Sequence, residues 1–291
     1  MFNKINNITL SKTEPLNRHC TFNIGGVCDF FVQTKSINSL IDLIYTCQQH
    51  SIPYKVIGNG SNLLFDDLGF KGVIIQYTND TIQYKNNVLS ISSGAEISNI
   101  IHFCLQNNLG GLEFAIGVPC KLGGAIFNNL GAYNCSISDY LTNVTVLRKK
   151  HLVFLNKLDC GFSYHSSRFN KGDIILSANF NLPKQDKEIT QFKAQQYINK
   201  RIISQPLKFP NAGSVFRRKG SVIPAKLIDL AGLKGMRIGD AQVSVKHAGF
   251  IVNRGCAKSS EVLRLIELIK YDIFDKNKIN LELEIEYIPY V

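Results

Sequence analysis

The chain has 291 residues, 45% of them hydrophobic and 19% charged, with 33 basic and 22 acidic side chains for a formal net charge of +11. That length suits about two domains, and a composition this apolar excludes a disordered chain. Mean hydropathy is −0.00, no apolar run approaches the roughly 20 residues of a membrane-spanning helix, and the Asn-rich start, Met1 to Thr9, lacks the apolar core of a secretory signal. A cytoplasmic protein is expected.

Ser36 followed by Leu40, Leu43, Ile44 and Cys47 at helical spacing predicts a capped helix. A strand over 54–57 comes next, and the loop GNGSN at 58–62 leads through Leu63, Leu64 and Phe65 to a second strand over 72–76. Residues 81–84 and 88–92, joined by Lys85, Asn86 and Asn87, predict a hairpin. Ile97, Ile100, Ile101, Cys104 and Leu105 form another amphipathic stripe, which Gly110 and Gly111 stop. The stretch 110–133 fits neither periodicity: it has six glycines and one proline among small apolar residues and almost no charge. Glycine in such a setting lets the backbone come close to something flat or to a phosphate.

Strands are expected over 143–147, 152–155 and 174–180, then a polar helix over 187–203, with a domain boundary near Ser204. The remainder predicts a helix entered at Pro224, a strand over 250–252, a helix carrying Val262, Leu265, Ile266 and Ile269, and a terminal strand from Ile279. The mixture of the two periodicities makes this an α+β protein.

The eight cysteines form no C-x-x-C pair, so neither a zinc ribbon nor a redox motif is present, no metal is expected, and the thiols are read as core-packed. Positive charge is local. From Lys200 to Arg237 nine basic residues face one acid, Asp229, without the aromatic interleaving of a nucleic-acid surface. A compact anion site accounts for it.

Several segments offer chemistry. GNGSN supplies backbone N–H groups plus Ser61 and Asn62 as donors to a diphosphate, although it is neither a Walker loop nor a Rossmann fingerprint and a hairpin turn alone would explain it. With the glycine-rich 110–133 stretch in the same chain, a large anionic cofactor is the better account. PNAGSVFRR at 210–218 sets Ser214 in a small-residue turn with no hydrolase triad, so it is either a proton donor or an ordinary turn serine. Arg217 and Arg218 are phosphate or carboxylate clamps, or solvated surface. LELEIEYI at 281–288 places Glu282, Glu284 and Glu286 on one strand face, either solvated or lining a cleft. His247 precedes a buried strand and reads as a structural histidine.

Taken in order, TFNIGG (21–26), GNGSNLL (58–64), GLEFAIGVP (111–119) with GGAIFNNLGAY (123–133), FSYHSSRF (162–169), PNAGSVFRR, LIDLAGLKG (227–235) with GDAQVSVKHAGFIVN (239–253), and LELEI (281–285) resemble the UDP-N-acetylenolpyruvoylglucosamine reductase family over almost the whole chain. The resemblance implies an FAD-binding region of the vanillyl-alcohol-oxidase (PCMH) type, residues 1–204, in subdomains of about 1–77 and 78–204. A smaller α+β substrate domain, 205–291, follows. It implies FAD and NADPH as cofactors, a UDP-linked amino sugar as partner and the family's shorter subtype; neither nucleic acid nor membrane is expected as a partner, and a monomer is expected. The family passes hydride from NADPH through the flavin to the enolpyruvyl C3 carbon and a proton to C2, making UDP-N-acetylmuramate for peptidoglycan. The enolate that builds up needs cations or donors nearby.

The family's proton-donating serine falls on Ser214 and its catalytic glutamate on Glu284. Its cofactor positions fall on Gly58, Asn59, Gly60, Ser61, Asn62, Gly117, Pro119, Gly123, Gly124 and Asn129, and the anion clamps Arg217 and Arg218 are expected to bind substrate. Three departures from the pattern involve four positions. Tyr164 is followed by His165 where the family has a catalytic Arg, so that role passes to His165 or to Arg168. Cys120 and Lys121 stand where Gly then Ser or Thr is usual, and Glu286 stands where Arg is common. His165, Cys120 and Glu286 motivate one alternative, a non-catalytic nucleotide- or flavin-binding homologue; the other is another flavoprotein oxidoreductase of the same superfamily.

Overall fold

A computed structural model describes residues 2–169 and 172–290. Strands β1 (Ile8–Pro15) and β2 (Val27–Thr34) precede α1 (Ile37–Gln49). Ser36 opens that helix, its Oγ accepting from the Ser39 amide at 3.2 Å. After β3 (Tyr54–Ile57) come two strands where one was expected: β4 is the Leu63–Phe65 run itself, and β5 spans Phe70–Tyr77. The hairpin consists of β6 (Ile82–Lys85) and β7 (Val88–Ser92), and only Asn86 and Asn87 form its turn, with φ of 51° and 61°.

Next are α2 (Ile97–Gln106) and, inside the glycine-rich stretch expected to be aperiodic, the short helix α3 (Leu122–Phe127). β8 (Gly131–Ala132) pairs with β9 (Cys135–Ser136). Then follow β10 (Leu141–Arg148), β11 (His151–Asn156), β12 (Ile174–Phe180) and α4 (Lys187–Ser204). The C-terminal part has α5 (Pro224–Leu230), β13 (Arg237–Ile238), β14 (Ala241–Val243), β15 (Ile251–Asn253), α6 (Ser259–Asn277) and β16 (Glu286–Ile288). Among the described residues no helix is long and apolar enough to cross a membrane.

These elements group into two compact units. The first comprises Met1–Ser11, Phe31–Asn59 and Val73–Lys200; the second, Lys12–Phe30, Gly60–Gly72 and Arg201–Val291. The stretches 12–30 and 60–72, which chain order places in an N-terminal subdomain, therefore go with the C-terminal residues.

In the first unit a five-stranded sheet runs in the order β11-β10-β12-β7-β6, every pair antiparallel. Alternate residues Leu89 and Ile91 on β7 and Val144 and Val146 on β10 are buried, joined by Ile97, Ile100, Ile101 and Cys104 from α2 and Leu122, Ala125 and Ile126 from α3. Period 2 from the strands meets a helical stripe in one core. Residues 73–76 of β5 pair in parallel with β3. Burial pushes the Cys47 and Cys160 thiols up to about 11 and Cys104 up to about 12. Such thiols are packing groups, not nucleophiles.

In the second unit β13-β14-β15 form an antiparallel sheet, and α6 buries Val262, Leu265, Ile266, Ile269 and Ile273. Long-range bonds hold the early stretches there. Parallel pairing sets Glu286 opposite Leu63, Tyr287 opposite Leu64 and Ile288 opposite Phe65. Asp67 accepts from the Ser259 amide (2.6 Å), the Ser260 amide (3.1 Å) and the Ser260 hydroxyl (2.8 Å), so it caps α6 from about 190 residues away.

Asp67→Ala should lower stability by about 1 kcal/mol, read as a lower denaturation midpoint. Burial by itself would raise the Asp67 carboxyl, but the bonds from Ser259 and Ser260 outweigh it and hold the group below the usual carboxylate range. Its contribution is therefore complete above that range and is lost as pH falls through the depressed value. The gap between wild type and variant should close on acidification.

Candidate active site

Residues 213–217, in the second unit, run between two neighbouring stretches. Gly213 turns the chain at φ 79°, Ser214 bridges antiparallel to Phe250, and Phe216 bridges to Leu283. The Val215 amide donates to the Gly249 carbonyl (2.9 Å), the Glu284 amide to the Val215 carbonyl (2.8 Å) and the Arg217 amide to the Glu282 carbonyl (2.9 Å). Glu284 is thus one backbone hydrogen bond from the residue that follows Ser214.

Asn211 braces this turn, its Oδ1 accepting from the Gly213 amide (2.9 Å) and its Nδ2 donating to the Phe209 carbonyl (2.8 Å). Thr21 Oγ1 donates to the Asn211 carbonyl at 2.7 Å, and the Asn211 amide donates to the Thr21 carbonyl at 3.0 Å. Asn253, 2% exposed, donates from Nδ2 to the Phe22 carbonyl (3.1 Å) and accepts from the Gly255 (2.9 Å) and Ala257 (3.0 Å) amides. TFNIGG is therefore the scaffold of the serine turn. Sequence reasoning missed Thr21, Asn211 and Asn253 in this role. The one available signal was Asn two residues before Gly, an Asx-turn pattern.

The three carboxylates do not share a strand face. A bend at Ile285 leaves only Glu286–Ile288 as regular strand, and the buried positions Leu281, Ile285 and Ile288 are not alternate residues. The backbone first follows Val215–Arg217 and then crosses to Asn62–Phe65, so the alternation breaks where its partner changes. Glu282 is exposed and pairs with Lys219 at 2.7 Å, whose hydrogen bond and charge hold the carboxyl below its usual range. Glu286 lies opposite Leu63. Glu284 is the carboxylate residue beside the serine turn.

Two adjacent arginines are also separated. Arg218 is exposed, its Nε reaching the Gly220 carbonyl at 3.3 Å, whereas Arg217 is half-buried and its Nε lies out of water with no hydrogen-bond partner among the described residues. A buried donor left unmatched is costly, which fits Arg217 to an anionic ligand. Elsewhere in the basic stretch Lys234 pairs with Asp229 at 2.7 Å and Arg237 with Asp240.

Within GNGSN, Gly58 and Asn59 belong to the first unit and Gly60, Ser61 and Asn62 to the second. The Gly58 carbonyl accepts from Gln76 Nε2 at 2.7 Å. Asn59 Nδ2 donates to Glu96 Oε2 at 2.7 Å and reaches the Pro119 carbonyl at 3.5 Å. Gly117 has φ 77°. A Cβ on Gly123 would lie 3.2 Å from Ser93 Cβ, but one on Gly124 would have nothing within 4 Å. That open space over small-residue backbone suits a flat cofactor such as FAD. Cys120 does not obstruct it, because its side chain joins the hydrophobic core. Lys121 is 3.9 Å from Glu96.

Other expected cofactor residues serve the protein's own backbone. Gly60, at φ 61°, is required because a Cβ there would stand 2.4 Å from the His19 carbonyl oxygen. Ser61 is half-buried in the turn. Asn62 Nδ2 donates to the Glu284 carbonyl at 3.0 Å. Asn129, 4% exposed, donates to the Ser163 carbonyl (2.7 Å) and accepts from the Ser138 amide (3.4 Å).

Ser163 and Ser166 exchange backbone bonds of 3.0 and 3.2 Å, so Tyr164 and His165 occupy the tip of a tight turn rather than a strand. His165 has φ 47°, and its Nε2 is 3.5 Å from where a Cβ on Gly131 would stand. The exposed Arg168 instead covers Gly161 with its stem. His165, not Arg168, lies against the glycine-rich segment.

Residues 205–288 match the family model described as UDP-N-acetylenolpyruvoylglucosamine reductase, C-terminal domain, and residues 28–150 match the FAD binding domain. A UDP-N-acetylenolpyruvoylglucosamine reductase of Clostridium botulinum (strain Okra / Type B1) is 39% identical over 286 residues, covering 97% of this chain and 93% of that protein. The chain belongs to the UDP-N-acetylenolpyruvoylglucosamine reductase family. A further reductase of this family, from Clostridium kluyveri (strain NBRC 12016), is 38% identical over 278 residues, covering 94% of this chain and 91% of that one. The crystal structure of UDP-N-acetylenolpyruvylglucosamine reductase (MurB) from Thermus caldophilus is similar with a TM-score of 0.84 at 28% identity, covering 97% of this chain and 99% of that chain. The α+β fold with an FAD-binding region and a C-terminal reductase domain is thus the one this family shares.

Proposed function

We propose that the protein reduces UDP-N-acetylglucosamine enolpyruvate to UDP-N-acetylmuramate, with FAD bound and NADPH as the electron source, in the cytoplasmic part of peptidoglycan synthesis. Membership of the reductase family supports this, and the observation that carries it is the bond from the Glu284 amide to the Val215 carbonyl (2.8 Å), which keeps a carboxylate residue beside the Ser214 turn. Gly58, Asn59, Gly117, Pro119, Gly123 and Gly124 would hold FAD, which would supply the hydride. Residues 205–291 would carry the substrate.

The chain's own groups manage charge and protons. Ser214 delivers the proton that C2 gains, and Glu284 is the carboxyl that holds or replenishes it. Arg217 offers its unmatched Nε–H to a phosphate or carboxylate of the substrate, a charge-assisted bond, and Arg218 adds an outer positive charge. His165 stands for the family's Arg against the enolate charge.

Purified protein should show a flavin absorption spectrum, and its NADPH oxidation should depend on the enolpyruvyl nucleotide. A colourless protein that takes up no FAD, or oxidation indifferent to that nucleotide, overturns the proposal. His165→Arg should raise turnover about tenfold or more, because a guanidinium is charged at every working pH and an imidazole is not. Unchanged turnover would assign the enolate charge to another group.

A further inference from the structure

We infer that Asn62 is a positioning residue for Glu284, setting the carboxyl's place for the proton step; this rests on the role of Glu284 proposed above. Both peptide groups of Glu284 are tied. Its N–H donates to the Val215 carbonyl at 2.8 Å, and its C=O accepts from Asn62 Nδ2 at 3.0 Å. The Asn62 carbonyl in turn accepts from the Glu286 amide at 2.8 Å. One residue thus makes bonds on either side of Ile285, where the chain bends between two partners.

Asn62 is well anchored for the purpose, since the next residue starts β4, whose Leu63, Leu64 and Phe65 are all buried and paired with β16. The residue must be short and must carry a side-chain N–H. An aspartate has the same shape but no such donor, and its charge would face a carbonyl oxygen. The amide that looks like a diphosphate ligand in GNGSN is spent on the glutamate's backbone.

The test compares half-reactions in the flavin-loaded protein by stopped-flow absorbance. Asn62→Asp and Asn62→Ala should each slow reoxidation by the enolpyruvyl nucleotide about 10- to 100-fold, the cost of a small misplacement. Flavin content and reduction by NADPH should stay within about threefold of wild type. In a Glu284→Gln background the same Asn62 changes should add less than about threefold, because groups that act as a unit are not additive. Amide exchange of the apoproteins over 63–65 and 286–288 should remain as slow as in wild type, showing that the strand pair survives.

Lost flavin, or equal slowing of both half-reactions, would make Asn62 a cofactor ligand and overturn the inference. Full additivity with Glu284→Gln, or fast exchange in both Asn62 variants, would overturn it as well. If Glu284→Gln alone left reoxidation unchanged, the proposed role of Glu284 would fall, and the inference with it.

Discussion

Ser214→Ala is expected to slow oxidation of the reduced flavin by the enolpyruvyl nucleotide by about 10²- to 10⁴-fold, the range of a positioned proton donor, while reduction by NADPH changes less than about threefold. The separation follows from where Ser214's structural duties lie. Its bridge to Phe250 and the bonds of Val215 to Gly249 and Glu284 are made by backbone groups, so deleting the hydroxyl leaves the turn standing. Stopped-flow measurement of the two half-reactions checks it. Equal slowing of both would remove Ser214 from the proton step.

The second large effect is expected from two glycines that look alike in sequence. Gly60→Ala should cost about 3 kcal/mol or more, because the new Cβ would stand 2.4 Å from the His19 carbonyl oxygen at φ 61°, combining overpacking against rigid backbone with left-handed strain. Gly124→Ala meets nothing within 4 Å and lies inside α3. The apoprotein should therefore keep its stability or gain up to about 1 kcal/mol. Its FAD affinity should nevertheless fall about tenfold, since the methyl enters the open cradle; such a loss corresponds to about 1.4 kcal/mol. Thermal melts of the apoproteins and FAD titrations separate the two cases. A stable Gly60→Ala variant, or a Gly124→Ala variant with full FAD affinity, would reverse the roles.

Much of the secondary structure was legible because its causes are local. The Ser36 cap, the 3–4 spacing of Leu40, Leu43, Ile44 and Cys47, and the Asn86-Asn87 turn act within a few residues. Short elements were harder to see. β4 escaped because three apolar residues carry no period, and α3 because glycine hides helical spacing. The strand expected from Ile279 shortens to Glu286–Ile288 because the alternating run is not one continuous ladder: the chain changes partner at Ile285.

By itself, the sequence determined the helices and strands with strong periodicity, the absence of zinc and redox cysteine motifs, and, through motifs in fixed order, the reductase family. It did not determine which of Glu282, Glu284 and Glu286 neighbours Ser214, which of Arg217 and Arg218 keeps an unmatched donor, or whether His165 or Arg168 faces Gly131. Nor did it show that Asn62 and Asn129 hold backbone. Tertiary structure decided these because the bonds responsible join distant residues. Thr21 and Asn211 are 190 positions apart, Asn62 and Glu284 are 222, and Phe22 and Asn253 are 231. Periodicity reports only on neighbours along the chain, and a hydrogen bond across 200 residues leaves no mark on it. The basic stretch shows the same limit: of the net charge of +11 the sequence places +8 between Lys200 and Arg237, and only the fold showed Lys219, Lys234 and Arg237 neutralised by carboxylates while the Arg217 Nε has no hydrogen-bond partner among the described residues.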